Sequence, residues 1–442
     1  MAVEIITVGG YDVVGRNCTA IKIDDDVIVF DIGIHLESYI QLTEDEDIKK
    51  FEVEDLIKVK AIPDLSVIEH WKDKIRAIIP SHAHLDHVGA IPFLAGRYKA
   101  PIICTPFTAA VLRAIIRDEK IPFKNRIKTV NTGSSIKITK DITAEFITVT
   151  HSTPQTAMVA LHTKHGIIVY ANDFKFDMSP TLGKTPDLKR LRQLGQKGVY
   201  ALVVESTYAD DDRKMPSESV AKEMLRDAIL DDEKEVQAIL VTTFSSHIAR
   251  LKSIIELGKK LGRKVIFLGR SLAKYVDAAE EVGIVHFSKE IEIVKYGNNI
   301  RKRLNELQPR KKKYLIVVTG HQGEPKATLA KIARDVFKFR LDHRDKVIFS
   351  CNVIPTPTNE KNREHLERDL KHRRIRIFKG IHVSGHAARQ DLQDLLEMLK
   401  PEHIIPSHGE EKMRKSLAGL CKEMGWKKNI HLLAEGQHAV LK

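Results

Sequence analysis

The chain has 442 residues, 43% of them hydrophobic and 30% charged, and carries a formal net charge of +13. That length and balance exclude a disordered polymer and a single small domain, and they suit two or three domains that each bury a core. No run approaches about eighteen consecutive apolar residues, and Met1-Ala2-Val3-Glu4-Ile5 lacks a charged leader followed by an apolar core, so a soluble, cytoplasmic protein without a membrane span is expected. Cys18, Cys104, Cys351 and Cys421 lie far apart with no CxxC pair, which argues for buried thiols rather than a disulfide framework or a thiolate zinc knuckle. The basic excess suits a polyanionic partner and is concentrated late, in Arg301-Lys302-Arg303, Arg310-Lys311-Lys312-Lys313 and Lys371-His372-Arg373-Arg374-Ile375-Arg376.

In chain order, Val3 to Val8, Ala20 to Ile23 and Asp26 to Gly33 read as strands, the last two parted by the acidic turn Asp24-Asp25-Asp26 and therefore antiparallel. His35 to Leu65 reads as an acidic, partly helical excursion over a sheet edge, with Glu44-Asp45-Glu46-Asp47 its clearest feature. The apolar run Ile75 to Ile79 is a strand that delivers Pro80-Ser81-His82-Ala83-His84-Leu85-Asp86-His87-Val88-Gly89. Three imidazoles and one carboxylate within six residues form the pattern of a metal site. His82 and His84 are two apart, so on extended backbone they point the same way and can grip one cation. Asp86 and His87 are adjacent on the turn into a helix and can face a second cation. Two cations about 3.5–4 Å apart clamp an in-line displacement at phosphorus.

Val88 to Tyr98 and Thr108 to Asp118 carry helix-period apolar positions, with the strand Pro101 to Thr105 between them. The strands Phe146 to His151 and Gly166 to Asp173 each deliver a donor at their end. His151 would complete the first cation's set with His82 and His84, and Asp173 would bridge both cations through its two oxygens. Ala201 to Thr207 is a buried-type strand that carries Glu205. Helices and strands then alternate: helix Ser217 to Leu230, strand Ala238 to Phe244, helix His247 to Lys260, strand Lys264 to Leu268, helix Leu272 to Val282, and strands Tyr314 to Thr319 and Lys346 to Cys351. This alternation predicts an inserted parallel α/β domain. Thr242-Thr243-Phe244-Ser245-Ser246-His247 precedes a helix, where hydroxyls and backbone N–H groups hold either the helix start or an anion. Gly320-His321-Gln322-Gly323-Glu324-Pro325 occupies a similar place after a later strand. Near the end, His386 in Ser384-Gly385-His386-Ala387 is suited to bind a substrate phosphate or to act as an acid for the leaving oxygen. His408, after the strand beginning at His403, would finish the second set with Asp86, His87 and Asp173, so the C-terminal segment returns to the first domain.

With these motifs assembled, the chain resembles the ribonuclease J family of archaeal type, from Gly9 to beyond Gly409. The resemblance rests on His82-Ala83-His84-Leu85-Asp86-His87, His151, Asp173 and His408, and on the Thr243-Phe244-Ser245-Ser246 and Gly320-to-Pro325 loops. It implies an α/β fold: a metallo-β-lactamase αββα sandwich with an inserted parallel α/β β-CASP domain. The expected segments are residues 1–207 and 366–442 for the sandwich and 208–365 for the insertion. The resemblance puts two Zn2+ ions in each chain, with His82, His84 and His151 on one, Asp86, His87 and His408 on the other, and Asp173 between them. It counts Asp86, His386 and Glu205 as catalytic, Glu205 by orienting a metal-ligand histidine. Ser245 or Ser246, with Ser384, Gly385 and His386, would seat the 5′-monophosphate of single-stranded RNA. The implied activity is 5′-to-3′ exonucleolytic hydrolysis. The alternatives are a metal-dependent endonuclease that processes RNA internally and a noncatalytic RNA-binding scaffold. A homodimer and an RNA-decay helicase or exosome-like complex are the associations the resemblance raises. Set against the family pattern, neither the further C-terminal domain of bacterial members nor the N-terminal KH domains of cleavage-and-polyadenylation-like relatives is expected.

Overall fold

Residues 3–43, 52–231 and 236–442 are described by the computed structural model; Glu44-Asp45-Glu46-Asp47 lies outside them. The chain divides into two compact units. One comprises Met1–Met178, Lys184–Met215 and Ser384–Lys442, and the other comprises Ser179–Gly183 and Pro216–Val383.

In the first unit the chain lays down β1 (Val3–Gly9), β2 (Cys18–Ile23), β3 (Asp26–Phe30), β4 (Ile75–Ile79), β5 (Ile102–Cys104), β6 (Ile127–Thr129), β7 (Ser134–Lys137), β8 (Thr143–Thr148), β9 (Ala157–Thr163), β10 (Gly166–Ala171) and β11 (Val199–Glu205). The second unit holds β12 (Ile239–Thr242), β13 (Lys264–Leu268), β14 (Glu292–Val294), β15 (Tyr314–Val318), β16 (Lys346–Phe349) and β17 (Arg376–Phe378). The chain then returns to the first unit for β18 (His403–Ser407) and β19 (His438–Leu441).

The first unit pairs two sheets, ordered β19-β1-β2-β3-β4-β5-β6 and β18-β11-β10-β9-β8-β7. Alternation along the strands decides what each side chain meets. Ile28, Phe30, Ala77 and Ile79 of one sheet share a buried cluster with Phe146, Ile168, Tyr170 and Val203 of the other. The rings of Phe30 and Tyr170 stack at 4.5 Å across that cluster. The intervening residues Val169, Ala171, Leu202 and Val204 pack on the opposite face with Leu191 and Leu194 of helix Leu188–Lys197 and with Leu392, Leu395 and Leu399 of helix Arg389–Leu399. Burial on both faces is why β10 and β11 read as unbroken apolar runs.

Topology places the strand exits together. β3 and β4 run parallel in one sheet, while β10, β11 and β18 run parallel in the other. β8 is antiparallel to β9, which is antiparallel to β10, so β8 also runs with β10. The residues that follow β3, β4, β8, β10, β11 and β18 therefore gather at one end.

The second unit is a parallel sheet, ordered β14-β13-β15-β12-β16-β17 among the described residues. Helices Glu218–Leu230 and Ile248–Lys260 are tied by a buried fork in which Arg250 Nε and Nη2 donate to the two oxygens of Glu218 at 2.5 and 2.7 Å. Arg250 Nη1 also donates to the carbonyl and hydroxyl of Ser350, at 3.0 and 2.8 Å, satisfying a fully buried guanidinium.

Three features depart from the sequence reading. Val88 to Tyr98 is not one helix but the short turns Leu85–Val88, Ile91–Leu94 and Ala95–Arg97, with Pro92 at the start of the second. Proline has no N–H for a continuing helix and is tolerated only in a first turn. Helices Gly297–Leu307 and Pro357–His372 are largely polar, with few apolar positions to reveal a period. Residues 366–383 pack with the second unit, because β17 adds alongside β16.

Candidate metal centre

The sharp exits of three strands are made by residues in left-handed conformation: Asp31 (φ 54°), Asp173 (φ 58°) and His408 (φ 48°). Such non-glycine positions are costly unless the surroundings hold them, and they concentrate at functional sites. Gly33 permits a close approach instead. A Cβ there would lie 1.6 Å from the Asp86 carbonyl oxygen, so only glycine lets the His82–His87 loop pack against the β3 exit.

Seven side chains converge in two overlapping sets of four, and Asp173 also lies within reach of a third group with Glu205 and His386. His82, His84, His151 and Asp173 form one, and Asp86, His87, Asp173 and His408 the other. In the first set, His84 Nδ1 lies 3.0 Å from His82 Nε2 and 3.1 Å from His151 Nε2. Asp173 Oδ2 is 3.4 Å from His82 Nε2 and 3.5 Å from His151 Nε2. In the second, His87 Nε2 is 3.4 Å from Asp86 Oδ2 and 3.2 Å from Asp173 Oδ2. His408 Nε2 is 3.4 Å from Asp173 Oδ1. Asp173 thus faces both sets. A tetrahedral ion with bonds of about 2.0–2.1 Å has donor-to-donor edges of about 3.3 Å, which these separations match.

The far sides of the rings settle which atoms face inward. His87 Nδ1 lies 2.8 Å from Asp31 Oδ2, His408 Nδ1 lies 2.7 Å from Asn17 Oδ1, and His151 Nδ1 lies 2.8 Å from the Gly385 carbonyl. His82 Nδ1 lies 3.0 Å from Ser81 Oγ, whose own hydroxyl reaches Asp31 at 3.1 Å. With each outer acceptor taking the Nδ1 proton, Nε2 is left as an inward lone pair, that of His87 also lying 3.1 Å from the Asn17 Nδ2 donor. Among the described residues, His408 Nε2 and Asp173 Oδ1 are buried without a hydrogen-bond partner. Converging unprotonated donors of this kind suit divalent cations.

Electrostatics agree. Burial holds His82 and His151 well below the usual imidazole range and lowers His84 to about 4, which keeps these rings neutral donors. For His87 burial acts in the same sense, but Asp173, Asp86 and Asp31 outweigh it and push the ring well above its ordinary value, so this side of the site favours added positive charge.

Asp31 and Asn17 have no counterpart in the sequence reading. Asp31 is fully buried and accepts from Ser81 N (2.7 Å), His87 and Tyr170 Oη (2.8 Å). Its signal was present, since it follows a strand as the other site residues do, but Asp26 to Gly33 reads as one continuous strand. Asn17 Nδ2 also donates to the Asp86 carbonyl at 3.1 Å, and its loop offers no pattern to find it by.

Glu205 stands apart from the seven. Its Oε1 accepts from Phe174 N at 2.8 Å, and its Oε2 pairs with His386 Nδ1 at 2.7 Å. It therefore orients His386 rather than one of the expected ligand histidines. Burial opposes the charge on His386, yet Glu205 and Asp173 raise it to about 9. The His386 ring stacks at 5.6 Å on that of His408, and Ser384 Oγ accepts from His386 N at 3.2 Å. Gly385 approaches so closely that a Cβ would lie 2.7 Å from His151 Nδ1. Ser245 and Ser246 belong to the second unit, in the turn after β12, with Ser245 Oγ 2.9 Å from Ser271 Oγ and Ser246 buried.

Fold and site together define a metal-binding hydrolase of metallo-β-lactamase fold with a β-CASP insertion. Residues 59–243 match the beta-lactamase superfamily domain, 236–366 the ribonuclease J beta-CASP domain, and 371–432 the Zn-dependent metallo-hydrolase RNA specificity domain. Ribonuclease J of Methanocaldococcus jannaschii is 42% identical over 441 residues, covering 99% of this chain and 98% of that protein. Ribonuclease J of Pyrococcus abyssi is 41% identical, covering 96% of this chain and 93% of that protein. The chain belongs to the ribonuclease J family. Ribonuclease J 1 of Streptococcus pyogenes is 31% identical, with 98% of this chain covering 73% of that protein. A crystal structure of a protein of unknown function from Enterococcus faecalis V583 shares the fold, with a TM-score of 0.66, 18% identity and full coverage of both chains. No helix among the described residues is long and apolar enough to cross a membrane.

Proposed function

We propose that the chain is a cytoplasmic two-zinc 5′-to-3′ exoribonuclease that hydrolyses single-stranded RNA from a 5′-monophosphate end. The observation that carries this reading is the pair of lone-pair sets sharing Asp173. A donor set of imidazole nitrogens and carboxylate oxygens with tetrahedral edges suits zinc. Bound there, two such ions would supply an activated water and positive charge for a phosphoryl group in transition. His82, His84 and His151 would hold one, Asp86, His87 and His408 the other, and Asp173 both.

The remaining residues act on the substrate. Glu205 fixes the His386 ring through Nδ1, so its other nitrogen is the one available to bond a phosphate oxygen or to hold a proton for the departing 3′ oxygen. Ser384 sets the turn that carries His386, and Gly385 keeps it against His151. Ser384, Gly385 and His386 would seat the terminal phosphate. The family's ribonucleases, as named in the archaeal relatives, support RNA as the substrate.

Matched RNAs bearing a 5′-monophosphate, 5′-hydroxyl or 5′-triphosphate test the reading. Mononucleotides released in order from the monophosphate substrate are expected. Internal fragments produced equally from all three, without mononucleotides, would refute exonuclease action.

A further inference from the structure

In the second unit all six strands run the same way, so their amino ends share one edge and their carboxyl ends the other. Ser245, Ser246 and the Gly320-to-Pro325 loop lie at the carboxyl edge, where parallel α/β sheets ordinarily bind ligands. The amino edge is about 16 Å away along five-residue strands rising about 3.3 Å per residue.

That amino edge is strongly basic. Lys260 ends helix Ile248–Lys260, Lys264 begins β13, and Arg310 and Lys313 lie in the turn that leads into β15. Lys264 pairs in register with Tyr314, the first residue of the neighbouring strand about 4.8 Å away, and Lys313 immediately precedes Tyr314. All four are exposed, and none forms an ion pair with a described residue. Among the described residues, carboxylates near this edge are already engaged: Glu290 with Lys259, Glu292 with Arg303 at 2.7 Å, and Asp345 with the buried Lys311 at 2.5 Å. Lys371 and Arg374, before β17, are exposed and likewise unpaired with described residues at the same edge.

We propose that this amino edge is a second RNA-binding face, separate from the loops at the carboxyl edge, whose Lys260, Lys264, Arg310 and Lys313 hold the phosphodiester backbone without reading sequence. Cations left over after local pairing cost least to present to a polyanion, because binding breaks no existing ion pair. A protein partner fits the face less well. Stretches 259–264 and 308–313 expose no large apolar or aromatic residue, and protein interfaces depend on such anchors. The absence of aromatic rings there also argues against base stacking, leaving contact with phosphates alone. The inference rests on the proposed reading only in taking RNA as the polyanion.

The test compares the full-length, metal-loaded protein with a Lys260→Gln, Lys264→Gln, Arg310→Gln, Lys313→Gln variant. Binding of a hydrolysis-resistant phosphorothioate uridine 30-mer is followed by fluorescence anisotropy across a salt series. Each phosphate contact on a single strand contributes about 0.7 to the slope of log K against log salt, so losing four lowers that slope by about 3. Hydrolysis of bis(p-nitrophenyl) phosphate, a substrate too small to span the sheet, is expected to be unchanged, which separates a failure of the face from a failure of the catalytic reading. A charge-keeping variant (Lys260→Arg, Lys264→Arg, Arg310→Lys, Lys313→Arg) should retain the parental slope. An unchanged slope in the glutamine variant overturns the proposal, as does an equal loss in the charge-keeping variant. Weakened binding of a polyglutamate 30-mer with an unaltered RNA slope overturns it in favour of an acidic protein partner. Should the fourfold variant fail to fold, Lys264→Gln with Lys313→Gln carries the same test with about half the drop.

Discussion

Replacing Asp31 with asparagine keeps the shape of the side chain and removes its charge, and the surrounding hydrogen bonds determine the outcome. Oδ1 accepts from Ser81 N at 2.7 Å, while Oδ2 accepts from His87 Nδ1 and Tyr170 Oη, both at 2.8 Å. The asparagine amide must turn its NH2 toward one of these groups. Turned toward His87, it donates to Nδ1 and drives the ring proton to Nε2, which removes the lone pair that faces the second ligand set. Turned the other way, it opposes the immovable Ser81 N–H, and a buried donor left without an acceptor costs about 1–3 kcal/mol. Partners that orient metal-binding histidines are worth about 10- to 100-fold in metal affinity, or about 1.4–2.7 kcal/mol. Zinc titration of the metal-free protein by calorimetry should therefore show the affinity of the Asp86, His87 and His408 set weakened by that factor in Asp31→Asn, with the other set unchanged. The His82, His84 and His151 set feels the change only through Ser81. Two unchanged affinities, or a loss confined to the His82, His84 and His151 set, would refute this chain of reasoning.

Gly385→Ala would place a methyl group 2.7 Å from His151 Nδ1 and 2.8 Å from Ser152 N. Overpacking of this kind costs about 1–3 kcal/mol, so turnover should fall at least about tenfold with a modest loss of thermal stability, and a fully active variant would show that the turn yields freely. Glu145 is held at about 2 by its hydrogen bond to His162, with burial opposing and Arg190 assisting. Because the folded carboxyl is depressed below its usual 4.5, its contribution is present above that value and fades as pH falls toward 2. Denaturant unfolding at pH 7 and pH 3 should find Glu145→Gln less stable by about 1–2 kcal/mol at the higher pH, a figure reduced for solvent around the partially exposed partners, and by less than half of that at the lower. An equal difference at both pH values would remove the electrostatic explanation.

Most of the candidate site was legible because strands running the same way in the two mixed sheets deliver donors at one end. His82, His84, Asp86 and His87 announce themselves by spacing, and His151, Asp173 and His408 by following apolar runs. Asp31 escaped because β3 ends at Phe30 and turns left-handed, whereas the sequence continues in a strand-like way to Gly33. Asn17 and Glu205 depend on tertiary placement: which imidazole each one grips follows from loops that bring residues some 180 or more positions apart into contact. Helix Pro357–His372 was invisible for another reason. Its buried face is Arg363, Leu366 and Leu370, and a buried arginine lying 3.3 Å over the Phe349 ring looks polar in sequence while packing as core. The short strands β14, β17 and β19 have three or four residues each, too few for alternation to show.

The central claim is that one buried carboxylate, Asp173, is shared by two ligand sets that each hold a zinc ion. Metal content per chain, measured by plasma mass spectrometry on the purified active protein and on Asp173→Asn, tests it most directly. Two zinc equivalents in the active protein, falling below one in the variant together with loss of RNA hydrolysis, is the predicted result. An active protein holding a single ion, or an Asp173→Asn variant that keeps both ions and full turnover, would contradict it.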